Sequence, residues 1–289
     1  MKIAVYGPLY NERSKSTIKI LIDYLKNKKA NVLFENNFYE SIITSSTIDL
    51  KSFGFETFHV LDTSYELLIS IGGDGTILRA ITYVKDLNIP IVGINTGRLG
   101  FLATIPMNKV EIALSEIFDG NYRVSKRSLL EINIGKNESE LDLNFALNEI
   151  SVSRKNTTSM ISIETWLDEE YLASYWADGL IVSTPTGSTG YSLSCGGPVI
   201  MPESDSLVLT PIAPHNLNAR PIVISSEKVI KLKVTGREEK HLISLDSRIK
   251  TLRNNTTITI RKASFFIHMI ELKDERFIKT LRKKLLWGA

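Results

Sequence analysis

The hydrophobic period of this chain changes near Thr104, and that change limits the possible fold more than any other feature. Before it, short apolar runs alternate with amphipathic stretches. Residues 2–6, 31–34, 66–71 and 89–94 read as buried strands. Residues 14–28 place Ile18, Leu21, Ile22 and Leu25 at helical spacing, and 76–84 reads as a second helix. Strands alternating with helices specify a parallel, doubly wound sheet. After Thr104 the spacing becomes mostly two. Leu129, Ile132 and Ile134, then Leu141, Leu143, Phe145 and Leu147, follow it, as do 161–166, 230–234, 241–245 and 256–260. This β-rich region predicts a sandwich or closed sheet. Residues 274–287 return to helix, with Phe277, Ile278, Leu281 and Leu285 as its apolar stripe and Asp274 as N-cap. The expected division is an α/β domain from residues 1–103 with 271–289, to which the last helix returns, and an all-β domain from 104–270.

A chain of 289 residues suits two domains, and 43% hydrophobic with 23% charged residues suits ordinary cores. With Cys195 as the single cysteine, no internal disulfide forms, and a reducing, cytoplasmic setting is expected. No apolar run is long enough for a membrane helix, and residues 1–7 read as a strand rather than a secretory leader. The four histidines are scattered, so no dedicated metal site is expected. A net charge of +3 gives no reason to expect a nucleic-acid partner. All of that excess lies in residues 271–289, where Lys273, Arg276, Lys279, Arg282, Lys283 and Lys284 outnumber Glu271, Asp274 and Glu275. It reads as the solvated face of the last helix.

Eleven of the 17 glycines fall within residues 72–100 and 179–197. Glycine is costly to order, so such clusters mark turns or close backbone approaches. In the first, the run Leu67–Ile71 ends in Gly72-Gly73-Asp74-Gly75-Thr76 before a helix. In a doubly wound sheet that turn lies at the carboxyl edge, where ligands bind. Open amides and a helix N-terminus suit phosphate. Asp74 is then the odd member. It could take a proton from a hydroxyl nucleophile, help hold a magnesium ion, or simply cap the helix. Arg79, a turn further on, is either a phosphate partner or a solvent-facing helix residue.

The second cluster, residues 177–194, packs hydroxyls around Gly187 and Gly190, which suits a ligand with phosphates and ribose oxygens. Asn148-Glu149 follow an apolar strand and could hold vicinal hydroxyls of a sugar, or form a plain strand end. Residues 95–102 leave a strand at the same sheet edge as the first glycine turn. Phe101 there is either core or one wall of a base pocket.

Together these segments resemble the NAD kinases, which phosphorylate NAD at the 2′-hydroxyl of its adenosine ribose with ATP or polyphosphate. Residues 72–76 resemble the family's GGDGT signature, 95–102 its NxGxLGFL segment, Asn148-Glu149 its NE pair, and 178–194 its long Thr/Ser/Gly block, continued by 196–198. Residues 218–221 and the C-terminal stretch from Arg276 also fit. The resemblance implies that Asp74 is the general base and that Gly75 lines the NAD phosphates or ribose. It implies that Asn148 and Glu149 hold ribose hydroxyls, that Thr189, Tyr191 and Ser194 line the adenine side, and that Gly190, Ser192 and Leu193 also belong to the NAD-binding set. Asp178 and Ala213 would contact the dinucleotide, often from a neighbouring subunit. It implies magnesium carried with the nucleotide, no membrane or nucleic-acid partner, and a homo-oligomer, dimer or tetramer. The chain departs from the pattern at Gly190, where alanine is usual, at Trp176, where some members carry a basic residue, and at Asp246-Ser247-Arg248, where Asp-Gly-Gln is usual; no ligand role is assigned to Arg248. Two other readings share these features: a lipid kinase of the diacylglycerol type, which has its own GGDGT, and a non-catalytic NAD(H) sensor in which Asp74 is idle.

Overall fold

The structure is a computed structural model that describes every residue except 49, 51–52, 136–140, 157–158, 274–275 and 288–289. The chain divides into two compact units, Met1–Lys126 with Ile267–Ala289, and Arg127–Phe266.

The first unit runs β1 (Lys2–Tyr6), α1 (Lys15–Asn27), β2 (Asn31–Glu35), α2 (Asn36–Ser45), β3 (Glu56–Phe58), β4 (Leu67–Ile71), α3 (Asp74–Val84), β5 (Ile91–Asn95), β6 (Ile105–Pro106) and α4 (Val110–Phe118). Its strands pair in parallel in the order β3-β2-β1-β4-β5, with β6 beside β5. The order reverses between β1 and β4, which puts the topological switch point at their carboxyl ends. Every residue of β4 and β5 is buried, as expected of strands covered on both faces.

Two helices, α2 and α4, carry no plain signal in the sequence. α2 follows β2 with no turn residue between them, because Glu35, itself buried, caps it by accepting the Phe38 amide at 2.9 Å. α4 buries Val110, Ala113, Leu114 and Ile117, a helical spacing that lies beyond Thr104. The α/β pattern therefore continues past the expected boundary at 103/104, and the divide falls at 126/127, inside the next strand.

From there the chain forms β7 (Tyr122–Ile134), β8 (Phe145–Ala146), β9 (Glu149–Arg154), β10 (Ile161–Leu167), β11 (Glu170–Ala177), β12 (Gly179–Ser183), a short helix α5 (Tyr191–Ser194), β13 (Ser206–Ile212), β14 (Ile222–Ser225), β15 (Ile230–Gly236), β16 (Lys240–Leu245), β17 (Arg248–Arg253) and β18 (Thr257–Leu272). Within the second unit one antiparallel sheet has the order β14-β13-β12-β9-β16-β17. A second joins β11-β10-β15-β18, with β7 and β8 alongside. Side chains of both sheets, among them Val152, Val182, Leu209 and Ile243 of the first and Leu130, Ile163, Leu232 and Ile258 of the second, share one buried core. This is the expected sandwich. The strand expected over 141–147 shrinks to β8, and the carbonyls of Leu143 and Phe145 accept from the Arg248 guanidinium.

The last residues of β18, 267–272, belong to the first unit, where Met269 pairs in parallel with Ile91. The closing helix α6 (Phe277–Leu285) buries Thr280 and Leu281, and Phe101 packs on Phe277 with ring centroids 6.0 Å apart. Ile278 is 56% exposed and so leaves the expected apolar stripe. The expected cap Asp274 lies outside the described residues, and Arg276 stands at the N-cap position.

Candidate functional site

β4 delivers the chain to Gly72, whose amide donates to the Ile94 carbonyl at 2.9 Å. A side chain at Gly72 would put its Cβ 2.1 Å from Thr76 Oγ1, and its φ is +154°, so packing and conformation both demand glycine. Gly73 and Gly75 differ: a Cβ at either would meet nothing within 4 Å. No neighbour among the described residues requires glycine there, and the backbone of the turn is left uncovered.

Asp74 is the first residue of α3 but does not cap it; the N-cap is Gly73, and no side chain caps the helix. The capping role open in the sequence is therefore not the one Asp74 plays. Its carboxylate reaches across to the loop after β5. Oδ2 accepts the Phe101 amide at 2.8 Å, and Oδ1 accepts the amides of Leu102 at 3.0 Å and Ala103 at 2.9 Å. Gly100 makes this approach possible, since a Cβ there would sit 1.8 Å from Asp74 Oδ1. The loop is braced from inside by Asn95, which accepts from the Gly97 amide at 2.7 Å and donates to the Arg98 carbonyl at 2.7 Å and the Ala103 carbonyl at 3.2 Å. A carboxylate offers about four lone-pair sites. Three amides therefore leave roughly one, on Oδ2, which carries a single amide. Asp74 is thus fixed in place with one acceptor position open. Arg79 is exposed and hydrogen-bonds the Tyr6 hydroxyl, on the side where Tyr6 and Tyr83 pack 5.3 Å apart. The Tyr83 hydroxyl, pushed up to about 12 by burial and then by the Glu35 charge, points at Glu35.

In the second unit, Asn148 and Glu149 stand where the chain enters β9. Three successive amides, those of Leu147, Asn148 and Glu149, donate to the carboxylate of Asp246 at 2.5, 2.8 and 3.1 Å. On the carbonyl side, Thr184 Oγ1 donates to Leu147 at 2.6 Å and the Thr184 amide to Asn148 at 2.9 Å. Gly187 lies so close that a Cβ would be 2.1 Å from the Asn148 carbonyl. The Glu149 carboxylate accepts the Tyr191 amide, the first of α5, while its Oε2 is buried with no partner among the described residues. Burial, and then the charge of Asp246, push the Glu149 pKa up to about 7.

The remaining expected residues divide by what they touch. Tyr191 and Ser194 are exposed, and Thr189, Gly190 and Leu193 are half-buried. Thr189 Oγ1 donates to the Thr186 carbonyl at 3.3 Å. A Cβ at Gly190 would come 3.2 Å from Glu149 Oε2. Ser192 is fully buried, and its hydroxyl is held by Thr210 Oγ1 at 2.8 Å. Asp178 is paired with Arg154 at 2.9 Å. Ala213 is exposed and sits at φ +43°, an unusual backbone for a residue with a Cβ. The sequence reading missed Asp246 and Thr184, which hold the Asn-Glu pair, and the amides of residues 101–103, which hold Asp74. The one available signal was the odd Asp-Ser-Arg turn, read only as a departure. Among the described residues no group of three His, Cys, Asp or Glu could hold a metal, and no helix is long and apolar enough to cross a membrane.

A carboxylate pinned among uncovered glycines at the switch point of a doubly wound sheet suits the phosphate end of a nucleotide, the setting in which phosphotransferases work. The chain belongs to the NAD kinase family. Residues 8–122 match the ATP-NAD kinase N-terminal domain, and residues 147–272 the C-terminal domain. It is 54% identical to NAD kinases of Christiangramia forsetii and Flavobacterium psychrophilum over 289 residues, covering 100% of this chain and 98% of each relative. An NAD kinase from Archaeoglobus fulgidus, solved in complex with ATP, is similar with a TM-score of 0.76 and 28% identity, covering 99% of each chain. The yeast NADH kinase solved with NADH shares the fold, with a TM-score of 0.87 at 22% identity over 100% of this chain and 88% of that one.

Proposed function

We propose that this protein is an NAD kinase that transfers the terminal phosphoryl group of ATP, or of polyphosphate, to the 2′-hydroxyl of the adenosine ribose of NAD. The observation that carries this reading is the fixed Asp74 carboxylate with one open acceptor position. Asp74 takes the 2′-hydroxyl proton as the ribose oxygen bonds to the γ-phosphorus and the bond to the leaving diphosphate breaks. Phosphoryl transfer asks a protein mainly for positioning and charge neutralisation. A carboxylate locked by three amides supplies the first without reorganising.

The uncovered backbone at Gly73 and Gly75 lies along the phosphates or ribose, and Arg79 is the nearby cation for phosphate. Asn148 and Glu149 hold ribose hydroxyls. Thr189, Gly190, Tyr191, Leu193 and Ser194 line the adenine side, with Ser192 bracing them through Thr210. Asp178 and Ala213 contact the dinucleotide in a homo-oligomer, and the enzyme works in the cytoplasm. Magnesium fits as an ion carried by the nucleotide phosphates, since it keeps several waters and asks for no dedicated protein cage, which leaves the open position of Asp74 Oδ2 to the ribose hydroxyl. Its chemistry there is neutralisation of phosphate charge.

The test offers purified protein magnesium and ATP with NAD, diacylglycerol or no acceptor. NADP formation is expected. Its absence, with NAD bound, would favour the sensor, and a phosphorylated lipid would favour the lipid kinase. Asp74→Asn is expected to keep NAD binding and lose most turnover, and wild-type turnover in it would sink the base assignment.

A further inference from the structure

The β16–β17 turn does more than join two strands. Leu245 and Arg248 are paired, and Asp246 and Ser247 form the two-residue turn at φ +47° and +75°. The Asp246 side chain points back into the sandwich and is buried. It gathers three consecutive amides, whereas an ordinary strand turns alternate amides to opposite sides. The Asp246 amide in turn donates to the Glu149 carbonyl at 3.2 Å. With the Leu147 and Asn148 carbonyls held by Thr184, every backbone polar group of residues 147–149 has a partner. The side chains of Asn148 and Glu149 are what remains to meet a ligand.

Arg248 grips the preceding stretch. Its Nε donates to the Leu245 carbonyl at 3.2 Å and Nη1 to the Leu143 carbonyl at 3.3 Å, Nη2 donates to the Phe145 carbonyl, and the guanidinium lies 5.4 Å from the Phe145 ring centroid. A guanidinium has five donors in a fixed fork. The glutamine usual in this pattern has two, on one nitrogen, and cannot span three carbonyls.

We infer that Asp246 and Arg248 are positioning residues for dinucleotide binding: a clamp of opposite charges that fixes residues 143–149 by their main chain and so aims Asn148 and Glu149. The inference rests on the NAD kinase reading above. Three N–H donors converge on the Asp246 side chain, which is why a carboxylate is needed there. An asparagine would turn its NH2 toward an amide and leave a buried donor unsatisfied.

The test is steady-state kinetics of Asp246→Asn and Arg248→Gln, with folding checked by circular dichroism. Asp246→Asn is expected to raise KM for NAD by about ten-fold while KM for ATP stays within about two-fold, since loss of a buried hydrogen-bond partner is worth roughly that factor. Arg248→Gln is expected to raise KM for NAD by about three-fold, with KM for ATP again unmoved. A merely structural turn would lower thermal stability and leave both constants alone in the folded fraction. Folded Asp246→Asn with unchanged KM for NAD, or with both constants raised equally, would overturn the inference. Should Asp246→Asn fail to fold, Arg248→Gln decides in the same way. The wild-type enzyme in the same assay separates the two claims: no NADP from it sinks the function, whereas NADP from it with insensitive variants sinks only the clamp.

Discussion

Glu149 and Asp246 hold each other through the main chain: the Glu149 amide donates to Asp246 Oδ1 at 3.1 Å, and the Asp246 amide donates to the Glu149 carbonyl at 3.2 Å. That reciprocal pair keeps two carboxyl groups together in a buried place. Burial comes first, and the Asp246 charge second, in raising the Glu149 pKa from 4.5 to about 7; the Tyr191 amide opposes them. A neutral acid accepts a ribose hydroxyl less well than a carboxylate. Affinity for NAD is therefore expected to rise several-fold between about pH 6 and pH 8, as Glu149 ionises. Calorimetric titration checks this. In Glu149→Gln the affinity should be lower and flat with pH, and an unchanged slope in that variant would reject Glu149 as the titrating group.

The same shift affects folding, with a definite sign. The folded pKa lies above the unfolded value, so Glu149 contributes stability below about pH 4.5 and loses it as pH rises to about 7. A shift of that size is worth about 3 kcal/mol at most. Glu149→Gln removes the buried charge without changing shape. It is expected to melt higher than wild type at pH 8 and to lose that advantage at pH 5. Stability and ligand binding would then oppose each other at this residue, and equal melting differences at both values would contradict the assignment.

Gly100 gives a sharper test of the other half of the site. Its Cβ would fall 1.8 Å from Asp74 Oδ1 and 2.6 Å from Asp74 Cγ, so alanine cannot enter without separating the carboxylate from its loop. Gly100→Ala is expected to reduce kcat by about 100-fold or more, the scale of a lost positioning interaction of about 3 kcal/mol. The fold should survive, because the collision is confined to one loop. Near-normal kcat would show that the Asp74–loop contact is dispensable.

Much of this architecture was legible in the sequence because period reports burial. The runs at β1, β4 and β5 and the alternation at β10, β15 and β16 were correctly placed, since each buries one or both faces. α2 was hidden because a glutamate, and no turn residue, separates it from β2. α4 was hidden because its helical spacing comes after the first sign of alternation. The site was legible at its side chains and illegible at its supports. Asp74 and Asn148-Glu149 stand out by type and motif. What fixes them are backbone amides of residues 101–103 and a carboxylate nearly a hundred residues away in sequence, and main-chain donors leave no trace in residue identity.

Ser247 carries a visible conformational cost. At φ +75° it occupies the left-handed region in a two-residue hairpin turn that favours glycine. Ser247→Gly is expected to stabilise the protein by about 0.5–1 kcal/mol, raising the melting temperature by a few degrees. Thermal unfolding checks it, and a lower melting temperature would mean that the serine hydroxyl contributes more than the backbone strain costs.

The basic tail reaches the Asp74 loop through one residue. Lys284 on α6 donates to the Leu99 carbonyl at 2.8 Å and lies 5.5 Å from the centroid of the Phe101 ring, which also packs on Phe277 of the same helix. Leu99 and Phe101 flank Gly100 in the loop that holds Asp74. One lysine of the C-terminal charge excess is thus fastened to the loop, although, like its neighbours Arg282 and Lys283, it is exposed. Lys284→Met keeps most of the side-chain length and removes the donor. It is expected to lower kcat by about three- to ten-fold, the worth of one charged hydrogen bond, with KM for NAD unchanged. Lys283→Met on the exposed face should leave both constants alone. If the two variants behave alike, the tail acts through its general charge. If only Lys284→Met slows the enzyme, α6 acts as a strut for the loop that fixes Asp74.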